Sequence, residues 1–314
     1  VSGERPRALA PFERRLLTVT ANERLGAYRV LKADDPGGPP VAGQFAMLAA
    51  AERWGGGEDE RPFLPRAFSY AHWLAGRSEV PPTSDRRGSR RVPRMGYRSP
   101  IGGEAHFLLE VVGPGTHRLG ELQPGESLWA LGPLGVGFEA PREGRAAVLV
   151  GGGVGIAPLA IWQDQLTTRP DAPAVAVLLG FRDAAHAEGA ALLANAILAT
   201  DDGAVGHHGR VTDLLEAELD RDGHATVYAC GPPPMLEAVR ALCAARGVRA
   251  QLALESGMAC GFGACFGCVV PTRSGYARLC VDGPVLDAAE LERVEYAGGH
   301  TYDSSSQPAL EGSP

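Results

Sequence analysis

The sequence predicts an α+β protein of several domains: an antiparallel β-barrel, a parallel α/β unit after it, and a small cysteine-centred unit near the C-terminal end. Three observations carry that reading. Period-two alternation of apolar and polar residues, cut by Gly and Pro, runs through residues 14–141 and marks short antiparallel strands. From residue 142, wholly apolar runs of strand length alternate with helical patterns, as in a parallel sheet covered on both faces. Four of the six cysteines then fall at Cys260, Cys265, Cys268 and Cys280. The expected boundaries are a lead-in over 1–13, the barrel over 14–141 with a loop insertion at 77–100, the α/β unit over 142–249, the cysteine unit over 250–294 and a disordered tail over 295–314.

Composition narrows the classes. With 314 residues the chain can bury two or three cores. Hydrophobic residues are 45% of it, the ordinary globular share. The 42 glycines and 25 prolines imply many turns, hence much β-structure. A net charge of −7 offers nothing to a nucleic-acid backbone. No apolar run is long enough for a membrane span. The N-terminal VSGERPRALAPFERR has no apolar signal core, so a cytoplasmic protein is expected. In that compartment crowded cysteines read as a metal site rather than as disulfides.

The elements follow in order. LLTVTANERLGAYRVLKAD and GQFAMLAA alternate as strands, and RAFSYAHW (66–73) continues them. Residues 77–100 are rich in Pro, Ser, Gly and Arg with little to bury, and read as an exposed loop; Arg86, Arg87, Arg90 and Arg91 make it a solvated basic patch. EAHFLLEVVGPGT (104–116) returns to strand, and GESLWALGPLGVGF (125–138) reads as strand followed by turns, completing a small barrel. AAVLV (146–150) is a buried strand, and GGGVGIAPLAIWQDQL is a glycine loop opening into a helix. APAVAVLLGF (172–181) is a second strand, AHAEGAALLANAIL a helix, ATVYAC (225–230) a strand, and PPMLEAVRALCAARG (233–247) a helix ended by Gly247. Cys243 sits mid-helix and is expected in the core. His207 and His208 lie in a Gly-rich turn and carry no expected metal role. Neither a Ser/His/Asp set nor a paired-carboxylate motif suggests hydrolysis.

The cysteines are spaced C-x4-C-x2-C-x11-C. The first three match the plant-type [2Fe–2S] pattern, in which one loop supplies three thiolates. Gly257, Gly261, Gly263 and Gly267 allow the tight curvature and point N–H groups at sulfur. Cys280 follows across a hairpin, VVPTRSGYARLC. The alternative is a four-cysteine zinc site, which normally shows two C-x2-C pairs where this segment has one.

Four further segments suit organic cofactors. Arg66-Ala67-Phe68-Ser69, at a barrel strand, can pair a guanidinium with a phosphate, lay an aromatic along an isoalloxazine and offer a hydroxyl to its N5 atom. Gly115-Thr116 is a strand-to-turn glycine with a hydroxyl helix cap. Gly151-Gly152-Gly153-Val154-Gly155 joins an apolar strand to a helix whose N–H groups can bind a pyrophosphate, although it is not the G-x-G-x-x-G fingerprint. Cys230-Gly231-Pro232 ends another parallel strand, where open α/β sheets place ligands; Cys230 either touches a nicotinamide or is a small buried hydrophobe.

Taken in order, R-x-F-S, G-T, G-P-L-G, G-G-G-V-G-I-A-P-L, C-G-P-P-P-M-L and the four cysteines resemble the ferredoxin–NADP reductase superfamily. Within it the chain is most similar to the electron-transfer subunits of class 1B dihydroorotate dehydrogenase. The phrases VVGPGT, LGPLGVGF, VGGGVGIAPL, ACGPPPML, LESGMACGFGACFGCVV and LCVDGPVLDAAEL carry the likeness over roughly residues 14–292. The resemblance implies an FAD-binding barrel, an NAD-binding α/β domain and a C-terminal [2Fe–2S] domain. It places Arg66, Ala67, Phe68 and Ser69 at the flavin, Gly115 and Thr116 at its pyrophosphate, and Leu108, Leu109 and Glu110 on the intervening contact strand. Relatives often carry an aromatic and an arginine where Leu109 and Glu110 stand, and a proline where Ala67 stands.

The resemblance also implies a partner: an FMN-containing catalytic subunit that oxidises dihydroorotate in pyrimidine biosynthesis, joined in a heterotetramer. Electrons would pass through the cluster and FAD to NAD. Near the LLGF strand only Arg182 is basic, with Asp183 and Glu188 close by, which favours NAD over NADP. Two other readings stand beside this one: a related reductase subunit serving a ferredoxin- or hydrogenase-type partner, and a non-catalytic cluster-binding adaptor.

Overall fold

The structure is a computed structural model, and it describes residues 14–51, 65–76 and 102–294. The expectations for 1–13, 77–100 and 295–314 lie outside the described residues. No described helix is long and apolar enough to cross a membrane.

Six strands, β1 (Arg14–Leu25), β2 (Tyr28–Asp35), β3 (Phe45–Ala50), β4 (Arg66–Ala75), β5 (Gly103–Glu110) and β6 (Ser127–Leu134), close a barrel in the order β1-β2-β5-β4-β3-β6. Every pairing is antiparallel. In the first half of β1 the predicted alternation holds, with Arg15, Leu17 and Val19 turned inward. A buried guanidinium needs compensation. Arg15 Nε and Nη2 donate to the two oxygens of Asp35 at 2.6 and 2.7 Å, and Nη1 donates to the Gly132 carbonyl. Helix α1 (Pro114–Glu121) follows β5 and tucks Leu119 against the barrel core.

A seven-stranded sheet lies beside the barrel. Its strands are β7 (Ala146–Gly152), β8 (Val175–Phe181), β9 (Ala196–Thr200), β10 (His207–His208), β11 (Ala225–Cys230) and β12 (Arg249–Ala253), then, after a hairpin of β13 (Val269–Thr272) and β14 (Gly275–Arg278), β15 (Val285–Asp287). The order is β10-β9-β8-β7-β11-β12-β15. All neighbours are parallel except β15, which runs antiparallel to β12. Helices α2 (Ala157–Thr167), α3 (Ala184–Ala187), α4 (Val211–Arg221) and α5 (Pro233–Ala245) complete the unit. Barrel and sheet share a junction of Phe138, Trp162 and Tyr228, with ring centroids 5.4–5.8 Å apart. The Tyr228 hydroxyl donates to the Glu139 carbonyl at 2.9 Å.

Four sequence expectations change. The helix expected over AHAEGAALLANAIL is one turn, α3, then a 3-10 turn over Glu188–Leu192, then strand β9. Gly189 packs beneath Tyr28 and Ile156, and strand pairing with β8 overrides local helix propensity. Residues 250–253 and 285–287, assigned to the cysteine unit, are sheet strands, because β12 takes its register from β11. Gly115 and Thr116 lie inside α1 rather than before a helix. His207 and His208 form a short edge strand instead of a turn.

Candidate functional site

Three groups of residues converge where barrel, sheet and cysteine segment meet. The first is built on β4. Arg66 opens that strand opposite Leu48, and Ala67, Phe68 and Ser69 face Met47, Ala46 and Phe45 of β3. Gly115 lies directly against the Arg66 guanidinium: a Cβ there would sit 2.1 Å from Nη1 and 2.4 Å from Cζ. Gly115 is the second residue of α1, so the guanidinium and the positive end of a helix share one place. That pairing fits a pyrophosphate. Thr116 Oγ1 accepts from the N–H groups of Val112 and Gly113 at 2.9 and 3.0 Å, so its hydroxyl shapes the helix entry. Phe68 is half-buried against the barrel core, while Leu108 and Leu109 are fully enclosed in it.

The second group is a cleft of 570 Å³ at the carboxyl ends of β7, β8, β9 and β11, roofed by Tyr28 and Glu110 of the barrel. Gly152, Gly153, Val154, Gly155, Gly231 and Pro232 line it; Gly151 does not. Gly155 presses on the backbone of Cys230 and Gly231, where a Cβ would come within 2.6 Å, so that glycine lets the loop meet β11. Cys230 lies behind the wall, 1% exposed, and burial holds its thiol strongly protonated. The small-hydrophobe reading therefore describes it.

Sequence reasoning named Glu110, Arg182 and Asp183 but missed Tyr28, His186, Asp201 and Glu255 beside them. Glu110 reaches Arg182 Nη2 at 3.1 Å and His186 Nε2 at 3.3 Å, across the barrel–sheet boundary. Asp183 caps α3, and its Oδ1 lies 2.6 Å from His186 Nδ1. The ring of His186 meets Tyr28 edge-on at 5.4 Å. The Tyr28 hydroxyl is buried and has no hydrogen-bond partner among the described residues, as expected of a group reserved for a ligand. Glu255 follows β12 and lines the cleft. The available signal for the missed acids was topological: Asp201 and Glu255 each follow the carboxyl end of a parallel strand, as Arg182 does.

The cysteine loop forms the third group. Its sulfurs fall into two pairs. Cys268 and Cys280 are buried with Sγ atoms 3.3 Å apart, while the Cys265 thiol hydrogen-bonds Cys260. Two thiolates per metal is what a two-iron cluster asks for. Among the described residues no group of three or more His, Cys, Asp or Glu gathers as a single ion requires. Gly263 N–H donates to Cys280 Sγ at 3.1 Å and Gly267 N–H to Cys265 Sγ at 3.5 Å. Burial opposes ionisation of Cys260, but N–H groups of Cys265, Phe262 and Ala264 bring its thiol down to about 6. Burial and the neighbouring Cys268 push Cys280 up to about 12. Gly261, at φ +80°, packs on Met47, where a Cβ would lie 2.5 Å from Cγ. The loop thus rests on β3, the strand that pairs with the Arg66–Ser69 segment.

Comparison with known proteins agrees with this arrangement. Residues 255–292 match the iron–sulfur cluster binding domain of dihydroorotate dehydrogenase B, and residues 149–241 match the oxidoreductase NAD-binding domain. The electron transfer subunit of dihydroorotate dehydrogenase B (NAD(+)) from Bacillus caldolyticus is 43% identical over 198 residues, covering 60% of this chain and 74% of that one. The Bacillus pumilus subunit is 36% identical over 287 residues, covering 88% and 96%. Among solved structures, an NADH-dependent reduced ferredoxin–NADP oxidoreductase has the same fold, with TM-score 0.68 and 22% identity over 89% of this chain and 90% of its own. The ferredoxin reductase of carbazole 1,9a-dioxygenase follows at TM-score 0.58 and 22% identity, covering 76% and 68%. The barrel, the nucleotide cleft and the paired cysteines are those of a known group, and the chain belongs to the family of electron transfer subunits of dihydroorotate dehydrogenase B.

Proposed function

We propose that this chain relays electrons between an FMN-containing dihydroorotate dehydrogenase subunit and NAD, in a cytoplasmic heterotetramer of pyrimidine biosynthesis. The carrying observation is the seat of the cysteine loop on β3, one strand from Arg66–Ser69. The bound groups supply the redox chemistry: NAD exchanges a hydride, the [2Fe–2S] cluster single electrons, and FAD converts one into the other.

The chain's own residues hold and orient these groups. Arg66 and the α1 amino end at Gly115 neutralise the FAD pyrophosphate, and Phe68 and Ser69 present a ring and a hydroxyl to the flavin. Gly152, Gly153, Val154 and Gly155 receive the NAD pyrophosphate, with Gly231 and Pro232 opposite. Cys260, Cys265, Cys268 and Cys280 ligate the cluster. Glu110 does not compete for the flavin phosphate as an acid on that strand could; it binds Arg182 and His186 instead. Leu108 and Leu109 support the strand from inside the barrel.

The test is co-expression with the catalytic subunit of the same organism. Co-purification and dihydroorotate-dependent NAD⁺ reduction, lost when either chain is omitted, are expected. Separate elution together with NADH-driven reduction of a ferredoxin would favour the reductase reading instead.

A further inference from the structure

A second cavity, of 640 Å³, lies at the opposite edge of the sheet, where β7, β11 and β12 begin. Strands of six or seven residues place it about 20 Å from the nucleotide cleft. Although the chain is acidic overall, five arginines line this cavity: Arg142 and Arg145 before β7, Arg240 on α5, Arg249 opening β12, and Arg273 in the β13–β14 turn.

Two of the five are neutralised. Arg240 pairs with Glu237 at 2.7 Å, and Arg249 with Glu139 and Asp287 at 2.7 and 3.0 Å. Arg273 Nε donates to the Ala289 carbonyl. Arg142, Arg145 and Arg273 have no carboxylate partner among the described residues. A second observation is independent of charge. Thr226, on β11, is 1% exposed, lines the cavity, and its Oγ1 has no hydrogen-bond partner among the described residues. Buried hydroxyls are nearly always satisfied, so this one is placed for a polar atom of something bound. The wall around Ala244, Gly247 and Ala250 is small-chained. The volume is that of a site for a small metabolite.

We propose that this cavity binds a phosphorylated metabolite of nucleoside monophosphate size. Arg142 and Arg145 take its phosphate in the forked geometry guanidinium groups favour, and the Thr226 hydroxyl bonds a polar atom of the remaining part. The site is separate from the nicotinamide cleft and independent of the proposed relay.

The experiment is calorimetric titration of the full-length holoprotein, saturated with NAD⁺ to fill the other cleft, at constant ionic strength. The probes are cytidine 5′-monophosphate, cytidine and inorganic phosphate. Saturable binding of the monophosphate is expected, with phosphate weaker and cytidine silent. The double variant Arg142→Ala/Arg145→Ala should weaken it at least about tenfold, the scale of a lost charge-assisted contact, while NADH-driven dye reduction stays unchanged. Thr226→Val, of the same shape, should weaken it without lowering the melting temperature of the free protein, since the hydroxyl has no partner there to lose. No saturable binding up to millimolar monophosphate, equal affinity in the double variant, or equal binding of cytidine would overturn the assignment.

Discussion

The barrel and the cysteine segment are held by different forces. The barrel encloses Leu17, Leu31, Phe107 and Leu128 completely and neutralises the inward guanidinium of Arg15 with Asp35. Between Glu255 and Pro284 the regular structure is two four-residue strands. An isolated hairpin of that size is not stable alone. The segment leans on other units instead: Gly261 on Met47, Val136 N–H on the Gly283 carbonyl, and Leu254 N–H on the Pro284 carbonyl. Dependence therefore runs one way. The cysteine segment needs the barrel and the group its sulfurs hold, whereas the barrel needs neither.

The largest expected effect attacks the dependent side. Cys265→Ser should remove the cluster and abolish transfer to the partner, with fast amide exchange confined to residues 255–284. NADH-driven dye reduction at the flavin should survive. Equal loss of both activities would show that the barrel also depends on the cluster. Asp35→Ala strikes the independent side. It leaves Arg15 buried without its anion and should cost about 3–5 kcal/mol in urea unfolding, cysteine segment included.

Smaller changes probe where the two sides meet. Arg66→Ala should weaken FAD retention by about 1.5–3 kcal/mol, roughly ten- to a hundredfold on dilution of the fluorescent flavin. Gly115→Ala keeps the charge but puts a Cβ into the guanidinium, so it should reproduce much of that loss; wild-type affinity in both variants would remove Arg66 and α1 from the flavin site. The smallest effect is at the cleft rim. The Arg210 N–H, then His207, hold the Asp213 carboxyl below its ordinary 3.8. That stabilisation is present above pH 3.8 and is lost as pH falls through the lower folded value. Because Asp213 is more than half exposed, Asp213→Asn should cost under about 1 kcal/mol at pH 7 and nothing at pH 2 by urea midpoint.

How much of this was legible beforehand depends on how local the signal was. The barrel strands, the strand–loop–helix at Ala146–Thr167, helix α5 and the cysteine spacing are written in short windows, and they folded as read. Cys243 is buried within α5, as its mid-helix place implied. Strand β9 was hidden because Ala-rich text favours helix until β8 offers it a partner. The role of Glu110 was illegible because its partners, Arg182 and His186, are more than 70 residues away. Tyr28 alternates like any barrel residue, and nothing near it in sequence shows that its hydroxyl goes unsatisfied. Glu255 sits in a cysteine-rich phrase that drew attention to sulfur, and it acquires its place in the cleft only when β12 joins the sheet.

The unequal exposure of the six thiols has a practical consequence for handling the molecule. Cys230, Cys243, Cys268 and Cys280 are enclosed, Cys260 is partly open, and Cys265 faces solvent. Alkylating reagents attack accessible thiolates. Brief treatment of protein stripped of its cluster should therefore label Cys265 and Cys260 first, Cys268 and Cys280 more slowly as the segment loosens, and Cys230 and Cys243 only when the chain unfolds. Loaded protein should resist even at those two positions. The ratio of labelled to unlabelled peptide then becomes a stoichiometric gauge of cluster loading, readable by mass spectrometry in a crude preparation without any activity assay.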